Sequence, residues 1–128
     1  MTLLSCFNMI DKNCLFCKIV AGEEPGDLVL EAPEFMCIKN KYPVAPVHVL
    51  VIPKEHMAKK DWIQAENLGV TGEQFWGKMM AVVFLVVSKL GLDKTGYKLV
   101  NNGAGYNHFE HEHMHILGGS KTEPGGTT

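Results

Sequence analysis

The stretch HEHMHILGG, His111–Gly119, places three of the chain's six histidines at alternate positions. Successive side chains of a β-strand point to opposite faces, so on a strand the three imidazoles would share one face, about 6.5 to 7 Å apart. On a helix, His111 and His115 would be neighbours and His113 would point away. The apolar residues within Met114–Leu117 and the glycines after them favour the strand. The sequence therefore predicts a strand lined by histidines.

Composition limits the classes of function. The chain has 128 residues, of which 46% are hydrophobic, and this is enough for one domain with its own core. Its net charge of −2 provides no broad basic surface for nucleic acid or an anionic membrane. The start, MTLLSCFNMIDKN, has no secretion signal, and the apolar run Met79–Val87 is too short to cross a bilayer. We expect a cytoplasmic protein that binds neither nucleic acid nor membrane.

Short extended segments dominate the chain. Strands are predicted at Leu28–Glu31, Phe35–Ile38, Val47–Ile52, Tyr97–Val100 and Met114–Leu117, of which the first two form a hairpin. Several short strands with few helices indicate an α+β domain with an antiparallel sheet. We place this domain at residues 14–119, between a flexible leader at 1–13 and a flexible tail at 120–128.

One long helix is predicted at Gly72–Leu90. Thr71 and Gln74 have the spacing of a capping box, and Gly91 lies where the helix should end. Its second half is apolar nearly all round, which is typical of a helix buried on more than one side. We expect it to pack on the sheet and to contribute to a subunit interface.

The segment CLFCK brings two cysteines within one turn of chain, Cys14 and Cys17. In a reducing compartment this spacing indicates a metal or redox pair in preference to a structural disulfide. A thioredoxin-type pair should follow a strand and open a helix, and no such strand is predicted. A Zn²⁺ site would need two more ligands, which His56 and one histidine of the cluster could supply. The remaining alternative is that Cys14 and Cys17 are two thiols near a flexible end that bind no metal.

Two chemical interpretations of the histidine cluster remain open at this point. All three histidines could share one catalytic metal ion that keeps a position for water. Alternatively, one imidazole could act as a nucleophile while polar neighbours hold an anionic substrate.

Three motifs together resemble the histidine triad (HIT) family. HEHMHILGG is similar to the triad itself, and APVHVLVIPKEH (Ala45–His56) and CLFCKIVAGEEP (Cys14–Pro25) resemble segments of the zinc-containing members, in the same order. The resemblance implies the HIT fold, with a five-stranded antiparallel sheet, one long helix and a short one, in a homodimer. It also implies an enzyme that hydrolyses or transfers a nucleoside monophosphate, with adenine as the expected base, from a phosphoramidate or a dinucleoside polyphosphate.

The same resemblance implies a role for particular residues. His113 matches the nucleophile that attacks the α-phosphorus and becomes a nucleotidyl-histidine, while His115 and His48 match histidines that contact the phosphate. Asn40 lies where family members bind the ribose, and Asn101 lies near the phosphate or leaving group.

A structural Zn²⁺ is also implied by the resemblance. Its ligands would be Cys14, Cys17, His56 and His111. The base is expected to lie against apolar residues near Phe35 and Ile38.

The chain departs from the family pattern before and within the triad. The loop AGYNHFEH is one residue longer than usual, so that Asn107 takes the place of a substrate-binding glutamine and His108 that of a Ser or Thr. Glu112 replaces an apolar residue, and a buried carboxylate needs a partner. We expect Lys98 or another cation to meet it, or that face to be wetter. A non-catalytic nucleotide-binding or scaffolding domain is the alternative that these departures keep open.

Overall fold

The computed structural model describes residues 13–63, 69–104, 106 and 110–120. Its helices and strands, in chain order, are α1 Leu15–Val20, β1 Leu28–Glu31, β2 Phe35–Lys39, β3 Val47–Pro53, α2 Lys59–Ile63, α3 Val70–Lys89, α4 Leu92–Thr95, β4 Tyr97–Val100 and β5 Met114–Gly118. In these ranges the one long helix is accompanied by three short ones. The predicted leader at 1–13 and tail at 120–128 fall, apart from residues 13 and 120, outside the described residues.

The five strands form one antiparallel sheet in the order β1-β2-β3-β5-β4. This confirms the predicted α+β architecture and the β1–β2 hairpin. The central strand β3 is buried at every position except its first, since it has a hydrogen-bonded neighbour on each side and is covered on both faces. Burial on both faces explains why this segment is a continuous apolar run in the sequence and not an alternating one.

The long helix α3 covers one face of the sheet. Its buried side chains pack against alternate residues of the central strands, and this core contains Val49, Val51, Met79, Val83, Val86, Met114 and Ile116. By length and composition alone α3 passes as a candidate membrane span. Packing on the sheet accounts for one apolar side of the helix, while Phe84 and Leu85 on the other side remain about half exposed.

The ends of α3 are set by glycines. The helix begins directly after Gly69, which has φ 84°, and no side chain caps its first turn. The predicted capping box of Thr71 and Gln74 is therefore wrong: both residues lie inside the helix, because Gly69 turns the chain two residues earlier than expected. The predicted stop at Gly91 is confirmed, since this residue adopts the left-handed conformation with φ 71°.

The other face of the sheet is covered only in part. Phe16 of α1 packs there with Leu50 and Ile52 of β3 and with two residues of β2, Met36 and Ile38. His48 lies two residues before Leu50 on β3, so its side chain points to the same face of the sheet. The uncovered part of this face holds the histidines.

The histidine segment is less regular than predicted. Strand β5 begins at Met114, so that His115 lies in the sheet and His111 and His113 precede it. The prediction of one strand through all three histidines is wrong, because the Glu112 amide donates to the Met57 carbonyl oxygen at 2.7 Å and not to a neighbouring strand.

Candidate functional site

The described histidines form two adjoining groups. His48 of β3 and His115 of β5 have ring centroids 5.1 Å apart, and His113 is 5.1 Å from His115. The first triad member, His111, instead meets His56, with centroids 5.1 Å apart. The sequence therefore brings its histidines together as predicted, but divides them between two environments.

The first group is a cluster of four potential metal ligands. Its donor atoms all lie within 4.8 Å of one another and belong to Cys14, Cys17, His56 and His111. Cys14 precedes α1 and Cys17 lies on its first turn, where residues three apart project to the same side. We refer to these four residues as the metal cluster.

The distances within the metal cluster fit a tetrahedral ion. The Nδ1 atom of His111 lies 3.3 Å from Sγ of Cys14 and 3.5 Å from Sγ of Cys17, and Nδ1 of His56 lies 3.4 Å from the same Cys17 sulfur. Tetrahedral zinc, with bonds of about 2.3 Å to sulfur and about 2.0 Å to nitrogen, holds unlike ligands about 3.5 Å apart. These three contacts therefore have the spacing of ligands on one tetrahedral zinc ion.

The protonation of His111 also suits a metal ligand. Its Nε2–H donates to the Pro53 carbonyl oxygen at 2.7 Å, which leaves the lone pair on Nδ1, the atom that faces the thiols. His111 is fully buried, and burial lowers the pKa of its imidazole to about 4. The ring is thus neutral near pH 7, as coordination requires.

No disulfide links the cysteines Cys14, Cys17 and Cys37 of the described part of the chain. Burial in the core raises the pKa of the Cys37 thiol to about 12, so this residue stays protonated. His56 and His111 bring two further ligand atoms to within 4.8 Å of the Cys14 and Cys17 sulfurs, as a metal site requires. The metal interpretation of the cysteine pair is therefore favoured over the redox one.

The ring of His113 donates to the backbone through a different nitrogen from the ring of His111. Its Nδ1–H donates to the main-chain carbonyl oxygen of His111 at 2.8 Å. A neutral His113 then carries its lone pair on Nε2. The sequence could not identify this acceptor, because a backbone carbonyl has no signature in the side-chain pattern.

His48 and His115 form a short hydrogen-bonded relay. The Val44 amide donates to Nδ1 of His48 at 3.1 Å, so neutral His48 carries its proton on Nε2 and donates it to Nδ1 of His115 at 2.9 Å. Burial lowers the pKa of His48, which favours this neutral form. His115, accepting on Nδ1, is in turn protonated on Nε2.

The amide of Asn40 is oriented by a backbone contact. Its Oδ1 accepts from the Tyr42 amide at 2.8 Å, which turns Nδ2 towards Nε2 of His48 at 3.2 Å. Both of these nitrogens are donors when His48 bonds to His115, so the 3.2 Å contact is not a hydrogen bond in that tautomer. The Asn40 amide nitrogen is then a donor that His48 does not accept.

A cavity of about 400 Å³ joins these residues. Its walls are Phe16, Asn40, Tyr42, Val44, His48, Leu50, Asn102, Tyr106, His113 and His115. The volume lies in the range of small-molecule sites. Its lining combines apolar side chains such as Phe16 and Leu50 with histidines and asparagine amides, which suits a ligand that has both an apolar and a polar part.

The structure places the predicted site residues unevenly. His48, His113, His115 and Asn40 line the cavity, whereas the amide of Asn101 is turned to Glu112 and to the main chain of His113. Asn107 and His108 lie outside the described residues.

Six cavity residues were not predicted: Phe16, Tyr42, Val44, Leu50, Asn102 and Tyr106. Phe16 lies inside the CLFCK motif and Asn102 directly follows Asn101, so both were near recognised signals. Of the two residues expected near the base, Phe35 lies in the core beneath α3, on the opposite face of the sheet, whereas Ile38 lies on the cavity's face with Phe16 and Leu50. Lys98 is not the cation at Glu112; the structure has Lys59 there.

Comparison with known proteins places these features in context. The sequence model described as "HIT domain" matches residues 21–122. "Protein HitA" of Neisseria gonorrhoeae is 37% identical over 107 residues, covering 83% of this chain and 95% of the relative. "Purine nucleoside phosphoramidase" of Escherichia coli K12 is 31% identical over 112 residues, covering 86% of this chain and 90% of the relative.

Solved structures agree with this match. The solved structure of the "HIT family hydrolase" of Clostridium thermocellum superposes with a TM-score of 0.77 at 35% identity, covering 89% of this chain and 96% of that one.

Proposed function

The chain belongs to the HIT family, and from this premise we propose that it is a hydrolase or nucleotidyl transferase that cleaves a nucleotide at its α-phosphate through a covalent intermediate on His113. The observation that carries the proposal is the hydrogen bond from Nδ1–H of His113 to the His111 carbonyl oxygen, 2.8 Å long. It supports an unprotonated Nε2 in a residue that lines the cavity. A nucleophilic imidazole needs this tautomer.

The relay supplies the remaining chemistry of the first step. Nε2 of His113 forms a bond to the α-phosphorus while the bond from phosphorus to the leaving group breaks. The proton that the relay places on Nε2 of His115 would offset charge on the phosphate or pass to the leaving group. Water then cleaves the phosphorus–nitrogen bond, which releases the nucleoside monophosphate and regenerates His113.

The rest of the cavity suits a nucleoside. We propose that the amide of Asn40 binds the ribose hydroxyls and that Phe16 and Leu50 contact the base, for which adenine is our candidate. The purine specificity in the name of the E. coli relative supports a purine base. Asn102 replaces Asn101 as our candidate for the residue beside the phosphate, since it is Asn102 that lines the cavity.

Charge favours a substrate with one phosphate. The chain has no arginine, and none of the described residues that line the cavity is a lysine. The neutral histidines and two asparagine amides can donate hydrogen bonds to a single phosphate but carry no charge, so each further phosphate of a dinucleoside polyphosphate would lack a cation. We therefore rank a nucleoside phosphoramidate ahead of a dinucleoside polyphosphate.

We propose Zn²⁺ as the ion of the metal cluster, because two thiolates and two imidazoles in a closed tetrahedral set are typical of structural zinc. The ion would hold α1 to the segment before β5 and so stabilise the fold. Catalysis by an ion shared among the three triad histidines is not favoured, since His111 directs Nδ1 to the thiols while His113 directs Nδ1 to a carbonyl oxygen.

We also propose that the protein is a cytoplasmic homodimer. Phe84 and Leu85 leave about half of their surface exposed on the outer side of α3, where a second copy would cover them. The cysteines of the described residues form no disulfide, which suits a reducing compartment.

The test is intact-protein mass spectrometry after rapid quenching of a reaction with an adenosine phosphoramidate. The wild type and His115→Ala should both carry a transient added AMP, and His113→Ala should carry none. Turnover without an adduct would contradict the covalent mechanism. Nucleotide binding with neither adduct nor turnover would favour the non-catalytic alternative.

A further inference from the structure

Glu112 is a buried carboxylate between two histidines with different tasks. Only 1% of its side chain is exposed, and a charged group in such a position is costly unless it is paired and hydrogen-bonded. Its position in the sequence is adjacent to both His111 and His113. The partners of this carboxylate therefore bear directly on the geometry of the site.

The partners come from two other parts of the fold. Nζ of Lys59, in α2, lies 3.0 Å from each carboxylate oxygen, with hydrogen-bond geometry only at Oε2. The Asn101 amide, at the end of β4, donates to Oε2 at 2.5 Å. Lys59 also donates to Oδ1 of Asn101 and lies 4.6 Å above the ring of Trp76 in α3. Each of the three polar side chains thus contacts the other two.

Asn101 extends this network to the site. Besides its bond to Glu112, the same Nδ2 donates to the main-chain carbonyl oxygen of His113 at 3.0 Å. The backbone of His113 is then held by Asn101, while its ring is held by the carbonyl oxygen of His111. The following residue, Asn102, lines the cavity.

We propose that Glu112 is a positioning residue: its carboxylate, fixed by Lys59, orients the Asn101 amide so that it holds the main chain of His113 in place. Glu112 does not line the cavity and acts only through Asn101. The inference rests on the proposed function, because the residue being positioned is the proposed nucleophile. A small displacement of a reacting atom is sufficient to reduce turnover greatly.

A matched pair of double variants separates positioning from stability. Glu112→Leu with Lys59→Met replaces the ion pair by apolar groups, a change that is often neutral for stability, and removes the acceptor for Asn101. Glu112→Gln with Lys59→Met is also uncharged but keeps an oxygen for Asn101. Methionine preserves apolar contact with Trp76 in both variants.

Activity is measured with an adenosine phosphoramidate, alongside urea unfolding and metal content. We expect both double variants to unfold at similar urea concentrations. The Leu variant should lose about 10-fold or more in kcat with little change in KM, and the Gln variant should stay within about 3-fold of the wild type. Equal kcat values in the two variants would overturn the proposal.

Two further measurements keep the proposal testable if a double variant does not fold or if the wild type shows no turnover. Asn101→Ala leaves the Lys59–Glu112 pair intact and should lower kcat; a raised KM with unchanged kcat would mean that Asn101 binds substrate directly. Without turnover the proposed function fails, and the nitrogen NMR signals of the His113 ring then decide. They should differ from the wild type in the Leu variant and match it in the Gln variant, and the proposal is wrong if the two variants give the same signals.

Discussion

His111 and His113 are separated by one residue, yet their rings donate to backbone carbonyls through different nitrogen atoms. His111 donates from Nε2 to the Pro53 carbonyl oxygen and directs Nδ1 to the thiols, whereas His113 donates from Nδ1 to the carbonyl oxygen of His111 itself. The first ring is closed into a buried ligand set, and the second borders a cavity. In each ring, the nitrogen that donates to a backbone carbonyl determines which nitrogen keeps the lone pair.

Removal of the His113 ring should have the largest effect on activity. We expect His113→Ala to lower kcat by about 10⁴-fold or more, as loss of a nucleophile does, with AMP affinity changed much less. Steady-state kinetics and calorimetric titration with AMP provide the two values. Turnover within 10-fold of the wild type would assign the nucleophile to another residue.

Loss of the metal should affect the region around the metal cluster, because it lowers the free energy of unfolding. At a free Zn²⁺ concentration a thousand times Kd, binding stabilises the folded state by about 4 kcal/mol, so Cys17→Ser should lower the free energy of unfolding by an amount of that order. Urea unfolding with metal analysis measures this. The matched control is Cys37→Ser, in the core and outside the metal cluster, which should retain the full metal content. Equal metal content in the two variants would contradict the assignment.

Substitution of His115 tests a second histidine of the same cavity. We expect His115→Ala to lower kcat by about 100-fold, because it removes a donor aimed at developing charge but leaves the nucleophile in place. The nucleotidyl adduct should still form, at a lower rate, in rapid-quench experiments. A loss as large as that of His113→Ala would mean that the two histidines act as one unit.

The smallest expected effect concerns pH. Burial lowers the pKa of His48 from its ordinary 6.5, so the folded state binds fewer protons there than the unfolded chain. Its contribution to stability is fully present above 6.5 and is lost as pH falls through 6.5 towards the folded pKa. The stability advantage of the wild type over His48→Asn should therefore shrink on acidification. Urea unfolding at several pH values measures it, with the metal ligands titrating equally in both proteins. An advantage that grows as pH falls would contradict the neutral relay.

Periodicity and spacing were sufficient for much of the fold. The strands and the α3 stop at Gly91 are confirmed, because each depends on local pattern. The proximity of Cys14, Cys17, His56 and His111 is also confirmed, but the family resemblance implied it, since spacing left open which triad histidine joins the cysteines. The start of α3 was not predictable, since a glycine turn at Gly69 competes with the more familiar capping box.

The polar connections of the site could not be predicted. The acceptors for His111 and His113 are backbone carbonyls, and the cation at Glu112 comes from α2, 53 residues earlier in the chain. Such contacts depend on tertiary packing and have no counterpart in sequence spacing. Asn101 illustrates this: its position suggested the phosphate, but a buried carboxylate redirects its amide.

The most direct test of the opposed rings is two-dimensional nitrogen NMR of the histidine side chains in the Zn²⁺-loaded protein. We expect His113 to be protonated on Nδ1 and bare on Nε2, and His111 to be bound to metal through Nδ1 and protonated on Nε2. A His113 ring protonated on Nε2, or a His111 ring coordinated through Nε2, would contradict this expectation.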